Sequence, residues 1–356
     1  MRFTVDKTTQ RYALTALSAA ALFGISAPLA KQLLGRIDPV LLAGLLYGGS
    51  GLGLAAFRML RKAAHPDRAP ALRRADLPWL AAAVASGGVV APILLLWGLG
   101  RAPASEASLL LNLEAVFTVL LAGVLFREHV SGRVWASVAV MLAAGTVLVW
   151  TPGESFMLSP AVLAIAGACL AWGLDNNFTR NIALADPVSV AMVKGLAAGA
   201  VNLALAAAAG ASMPPLVPLL AALALGAASY GASLVLYIVA QRHLGSARTG
   251  AHFATAPFIG VAFALLALGE RAAPGFWAAL ALMVLATVIL VTERHLHRHR
   301  HERLAHEHAH VHDEHHRHAH DHGPQDGAVP HSHWHVHDAM THTHPHLPDV
   351  HHRHRH

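Results

Sequence analysis

Between Ala104 and Glu128 the chain runs for a helix's length in mostly apolar residues. It carries a carboxylate, Glu114, near the middle and ends on Arg127-Glu128-His129. About 20 apolar residues are what a helix needs to cross the hydrocarbon of a bilayer. Inside lipid every backbone N–H and C=O must find its partner within the segment, which leaves the helix as the form such a run takes. A carboxylate at that depth costs several kcal/mol unless something solvates or uses it. The pattern returns at residues 246–270, SARTGAHFATAPFIGVAFALLALGE, with Glu270 falling on Glu128 when the two stretches are laid together.

Ten such runs can be read, at about 12–32, 39–60, 77–100, 103–126, 133–150, 160–180, 187–209, 216–240, 248–268 and 274–292. Short Pro- or Gly-marked joints separate them, among them Asp38-Pro39, Pro152-Gly153, Asp186-Pro187 and Pro274-Gly275. Charged residues are 13% of the chain, about half of what a soluble protein carries. The expected fold is an all-α polytopic membrane protein of ten transmembrane helices. A β-barrel is excluded, because barrel strands alternate over about ten residues and these runs do not. Cys169 is the only cysteine; it can form no internal disulfide and reads as a small packing residue.

Lys and Arg in short loops set the orientation. With the N-terminus in the cytoplasm, the inner segments hold Arg2, Lys7, Arg11, the basic cluster from Arg58 to Arg74, Arg127, Arg133, Arg180, Arg242 and Arg248. The outer segments hold only Lys31, Arg36, Arg101 and Arg271. Both ends are therefore expected in the cytoplasm, and the basic cluster is a topology signal rather than a nucleic-acid site.

The two halves repeat. Phe23-Gly24, Lys31 and Asp38-Pro39-Val40 in the first answer to Trp172-Gly173, Arg180 and Asp186-Pro187-Val188 in the second. Five spans per half is an odd number, so the second copy enters the membrane from the opposite side, the inverted repeat of many secondary transporters. The expected division is a cytoplasmic N-terminus at 1–11, five-helix repeats at 12–150 and 160–292, and a tail at 293–356. Glycines at 44, 48, 49, 51 and 53, and Ser86-Gly87-Gly88, read as surfaces where helices approach closely.

A five-helix unit used twice, with Asp-Pro opening the second span and Ser108-Leu109-Leu110-Leu111-Asn112-Leu113-Glu114-Ala115-Val116-Phe117 in the fourth, resembles the EamA-type drug/metabolite transporters. The resemblance implies a bacterial-type inner-membrane carrier that exports a small metabolite or amino acid by alternating access. The second copy departs from the first in having Ala256-Pro257 where the first has Glu114-Ala115, so one carboxylate is present at that level.

Polar residues inside the spans are the candidates for the transport cavity. Glu114 is a candidate proton- or cation-accepting carboxylate, and Asn112 lies two residues away on another face. Asp175-Asn176-Asn177 spreads over about 200° of a helix, so its members cannot share one cavity wall. Lys194 is expected to snorkel, to pair with Asp175 or Glu114, or to hold an anionic group; a lysine opposite a carboxylate suits an amphoteric solute. His252 is a candidate titrating group. Trp97, Trp172 and Tyr230 read as anchors or packing.

The chain has 28 histidines, and all but His65, His129, His243 and His252 lie beyond residue 292. They recur in His-x-His spacing at His306, His308, His310 and His312, at His318, His320 and His322, at His331, His333, His335 and His337, and at His342, His344 and His346. With no apolar periodicity the tail is expected to be disordered. Imidazoles at that density bind zinc, nickel, cobalt or copper, so no cofactor is required but metal on the tail is expected.

The favoured function is proton-coupled export of a small solute. The alternative is a divalent-metal exporter whose tail collects or senses metal, and a third reading is a membrane-anchored metal sensor. The partners are the lipid bilayer, a small-molecule solute and divalent metal ions, with no nucleic acid, in a monomer or homodimer. No catalytic triad, P-loop or nucleotide fingerprint occurs in the sequence, so neither enzyme nor ATP-driven pump is read.

Overall fold

The computed structural model describes residues 7–64, 72–125, 130–150, 159–182, 186–292, 296–301, 304–310, 331–337 and 340–345. It divides into two compact units, Met1–Glu293 and Arg294–His356.

The first unit is helical. Among the described residues ten helices are long and apolar enough to cross a membrane: α1 Gln10–Leu34, α2 Pro39–Leu60, α3 Arg74–Leu99, α4 Ala104–Val124, α5 Gly132–Val149, α6 Pro160–Ile182, α7 Pro187–Ala208, α8 Leu216–Gln241, α9 Arg248–Leu266 and α10 Pro274–Val291. Their starts are chemically marked. Ser131, Ser159 and Asp186 accept a backbone N–H from three residues on, and Pro160, Pro187 and Pro274 open α6, α7 and α10, where a missing N–H leaves nothing unpaired.

The helices pair by repeat. α2 packs along α7, and α5 along α10. The crossing of α2 and α7 is backbone against backbone: a Cβ on Gly51 would lie 2.6 Å from the Leu196 nitrogen, and one on Gly199 2.7 Å from Gly48. Such contact is what small residues supply where lipid removes the hydrophobic drive for association. The first helix of each half crosses into the other half. α1 packs on α8 and α9, and α6 on α3 and α4.

Two helix pairs differ along their length. The first half of α4, Ala104–Leu110, packs on the second half of α9, Ala256–Leu266. No comparable packing joins the other half of α4, Leu113–Leu125, to Ser246–Phe253 of α9 among the described residues. The fold is therefore closed between these helices at the end that carries Glu270 and parted at the other.

The second unit, Arg294–His356, is described only over four short segments. Strands β1 Leu296–His301, β2 Leu304–His310, β3 His331–His337 and β4 Met340–Pro345 form two antiparallel ladders, β1 with β4 and β2 with β3. His301 pairs with Met340 and Leu304 with His337, so the inner ladder continues the register of the outer one. Alternation of period two is also the period of a strand, and an antiparallel ladder needs backbone partners rather than an apolar face. His312, His318, His320, His322 and His346 lie outside the described residues, as do Arg127, Glu128 and the connection at 151–158.

Candidate transport site

α4 is broken at its centre. Between Leu110 and Leu113 the backbone tightens into three-residue steps, with Asn112 N–H on the Leu109 carbonyl at 3.3 Å and Glu114 N–H on Leu111 at 3.1 Å. The buried Asn112 side chain donates to the same Leu109 carbonyl at 2.9 Å. α9 breaks at the matching place, where Thr255 N–H reaches the His252 carbonyl at 3.2 Å and the Thr255 hydroxyl donates to it at 2.6 Å. Asn112 thus serves the break of its own helix, and the His252 carbonyl takes the same role in α9. The break sets Glu114 in the first turn of a new half-helix, where the N-terminal dipole favours negative charge.

α6 lies against this turn and its polar triplet points three ways. Asn176 donates to Glu114 Oε1 at 2.9 Å and to Thr118 Oγ1 at 3.2 Å. Asn177 is buried and donates to the Gly173 and Thr118 carbonyls. Asp175, 4% exposed, accepts from Lys194 Nζ of α7 and from Thr179 Oγ1 at 3.1 Å. Of the sequence candidates, Glu114, Asp175, Asn176 and Lys194 converge, while Asn112 and His252 stand apart. Two carboxylates against one ammonium leave the group with one net negative charge when all three are ionised. Asn176 is exposed and Glu114 half-buried.

The floor of the site comes from α3, and the sequence reading missed it. Pro92 has no N–H to give, and the helix answers with a π turn over Val84–Val90, in which Ala91 N–H reaches back to the Ser86 carbonyl. The carbonyls of Gly87 and Gly88 are left for side chains. Tyr47 donates its hydroxyl to Gly87 at 2.6 Å and Trp172 its indole N–H at 3.1 Å; Asn202 donates to Gly88 at 2.9 Å. Refilling of this kind is what makes a broken helix tolerable in lipid. A Cβ on Gly87 would overlap the Asp175 carboxylate, so only glycine leaves the acid its place. Pro92 inside an apolar run was the available signal. α8 has the second π turn, Ala227–Ala232, and Ala85-Ser86-Gly87-Gly88 answers to Ala228-Ser229-Tyr230-Gly231.

At the closed end Glu270 ties three elements together. It accepts the N–H groups of Ala104 and Ser105, each at 2.8 Å, and so caps the buried start of α4. Lys31 Nζ at the end of α1 lies 3.4 Å from Glu270 Oε1 and 2.5 Å from the Ala102 carbonyl. Partial burial pushes the Glu270 carboxyl up. The Ser105 and Ala104 N–H groups, with the Ser105 side chain and Lys31, outweigh that and hold it below the ordinary carboxylate value. Beneath this cap Ser108 Oγ is buried without a partner.

No group of three metal-ligating side chains occurs among the described residues, and the metal-export alternative finds no support there.

A model described as the EamA-like transporter family matches the chain twice, over residues 10–151 and 159–292. An uncharacterized transporter of Methanothermobacter thermautotrophicus is 29% identical over 269 residues, 71% of this chain and 78% of that protein. The uncharacterized inner membrane transporter YedA of Escherichia coli is 24% identical over 263 residues, 72% of this chain and 83% of its own length. A probable terminal-alkyne amino-acid exporter of Streptantibioticus cattleyicolor is 33% identical over 126 residues, 34% of this chain and 42% of that protein. One solved crystal structure shares the fold, with a TM-score of 0.57 at 22% identity, covering 79% of this chain and 96% of the other.

Proposed function

The chain belongs to the EamA-like transporter family, and on that premise we propose that it exports a small amphoteric solute, an amino acid or a close relative, by alternating access coupled to protons. The observation that carries the reading is the convergence of Glu114, Asn176, Asp175 and Lys194 at the start of a half-helix in mid-membrane. Lys194 supplies the cation that a solute carboxylate requires. Glu114, bonded through one oxygen to Asn176, keeps the other for an ammonium group or a proton. A buried ion pair exchanges partners when a solute offers both charges, because neither ion is left unpaired. The amino-acid exporter from Streptantibioticus cattleyicolor supports the solute class. Glu270 closes one end of the path, and the parted halves of α4 and α9 open the other. The excess of Lys and Arg puts the open end and both termini in the cytoplasm, so this is the solute-loading state of an exporter.

The test is uptake of a panel of radiolabelled amino acids into everted vesicles, with and without a pH gradient. Accumulation that requires the gradient and is lost in Glu114→Gln supports the proposal. Equal accumulation with the gradient collapsed refutes the coupling, and full activity of Glu114→Gln refutes the site.

A further inference from the structure

The inverted repeat gives every position of the polar site a counterpart in the other half. Asp175 of α6 answers to Ser26 of α1, two residues beyond Trp172-Gly173 and Phe23-Gly24 in each case. Gly87 of the α3 π turn answers to Tyr230 of the α8 π turn. The two sites are exchanged in volume. In one, a glycine makes room for a carboxylate. In the other, a tyrosine stands beside the small Ser26. Glu114 answers in the same way to an alanine near 256, so the second site carries no charge.

What the second site carries is a chain of rings. Tyr47 stacks on Tyr230 at 5.7 Å between centroids, Tyr230 meets Phe23 edge-on at 5.8 Å, Phe23 meets Phe253 at 5.4 Å, and Phe253 meets Tyr237 at 5.1 Å. The chain joins the polar site without a gap, since the Tyr47 hydroxyl rests on the Gly87 carbonyl beneath Asp175. Its far members, Phe253 in the first half of α9 and Tyr237 in α8, flank the parted end, and all but Tyr47 are only half-buried.

We propose that this uncharged counterpart, centred on Tyr230, is the subsite for the apolar side group of the solute whose charged groups sit at Glu114 and Lys194. The inference rests on the function proposed above. Aromatic rings offer a flat apolar face and favour offset stacking with a second ring, so the solute class is an amino acid with a large apolar or aromatic side group.

The experiment is a thermal-shift titration of the full-length protein with alanine, leucine and phenylalanine. For the unaltered chain, affinity rises along that series. Tyr230→Leu, which keeps apolar volume but removes the ring, lowers the preference for phenylalanine over alanine by about two- to tenfold, and Tyr230→Phe preserves it. Glu114→Gln weakens all three alike. A flat series in the unaltered protein overturns the subsite. So does a preference that survives Tyr230→Leu while Glu114→Gln still weakens every ligand, and that outcome leaves the polar site standing. Undiminished binding of all three to Glu114→Gln overturns both.

Discussion

Replacing Glu270 by glutamine should open the end of the molecule that this residue closes. The carboxylate receives two backbone N–H bonds at 2.8 Å and faces Lys31 at 3.4 Å. Glutamine keeps one accepting oxygen and loses the charge. A hydrogen bond to a charged group is worth about 1.5–3 kcal/mol, and the lower end applies because the Glu270 side chain is 18% exposed and Lys31 28% exposed. Losing one such bond and the ion pair therefore shifts the closed-to-open equilibrium by about 1.5–2 kcal/mol, or roughly ten- to thirtyfold. Ser108, buried under the cap where α4 meets α9, is the reporter. In Ser108→Cys, labelling by a membrane-impermeant maleimide from the Glu270 side should quicken by that factor when Glu270→Gln is added; the native Cys169 is fully buried. Protonation should act in the same direction. The closed state holds the carboxyl below its usual value of 4.5, so its stabilisation is present above that value and disappears as pH falls through the closed-state pKa. Labelling relative to a fully exposed cysteine at the same pH, which cancels the loss of thiolate, should rise only in acid below about pH 4.5 and stay flat near neutrality. A change within about twofold would refute the cap as a gate, as would an equal gain at Ser137→Cys, buried between α5 and α10 where its hydroxyl donates to the Ala286 carbonyl. The second result would mean general loosening.

Three further outcomes follow from the site. Asp175→Asn and Lys194→Met should each abolish transport and cost about 3–5 kcal/mol of stability by stranding a buried charge, whereas the double variant should lose less than the sum in thermal unfolding. Asn112→Thr should fold and transport like the parent, because Thr255 makes the same carbonyl bond in α9, while Asn112→Ala should lower thermal stability by about 1 kcal/mol. Removing residues 295–356 should leave amino-acid export unchanged and eliminate most zinc binding measured by equilibrium dialysis; lost export would bring the tail into the transport cycle.

The architecture was legible because lipid simplifies the code. A run of apolar residues long enough to span, closed by Pro, Gly or Asp-Pro, admits one backbone form, and ten such runs in the sequence became ten helices. The paired Asp-Pro openings and the match of Glu128 with Glu270 showed the repeat for the same reason: they mark helix ends, which are set locally.

The site was legible in its ionisable members and illegible in its frame. Glu114, Asp175 and Lys194 stood out because charge within a span is costly, and the structure brings those three together with Asn176. Asn112 was equally conspicuous yet belongs to a helix break, because a side-chain amide can turn back on its own backbone. Thr118 and Tyr47 gave no signal of their own, and Gly87 only that of a close helix approach. Their roles arise only when α2, α3, α4 and α6 meet, and Pro92, with no N–H of its own, helps leave the Gly87 carbonyl that Tyr47 and Trp172 then claim. Repetition also concealed as much as it disclosed. The two halves share their breaks and their π turns, so an alignment presents them as equivalents, but the residues at those shared positions differ in charge and volume. Asp175 over Gly87 makes an ionic site, and Ser26 against Tyr230 makes an aromatic one. On the function proposed above, one backbone frame used twice, once for charge and once for apolar surface, would hold both ends of an amphoteric solute between the two halves.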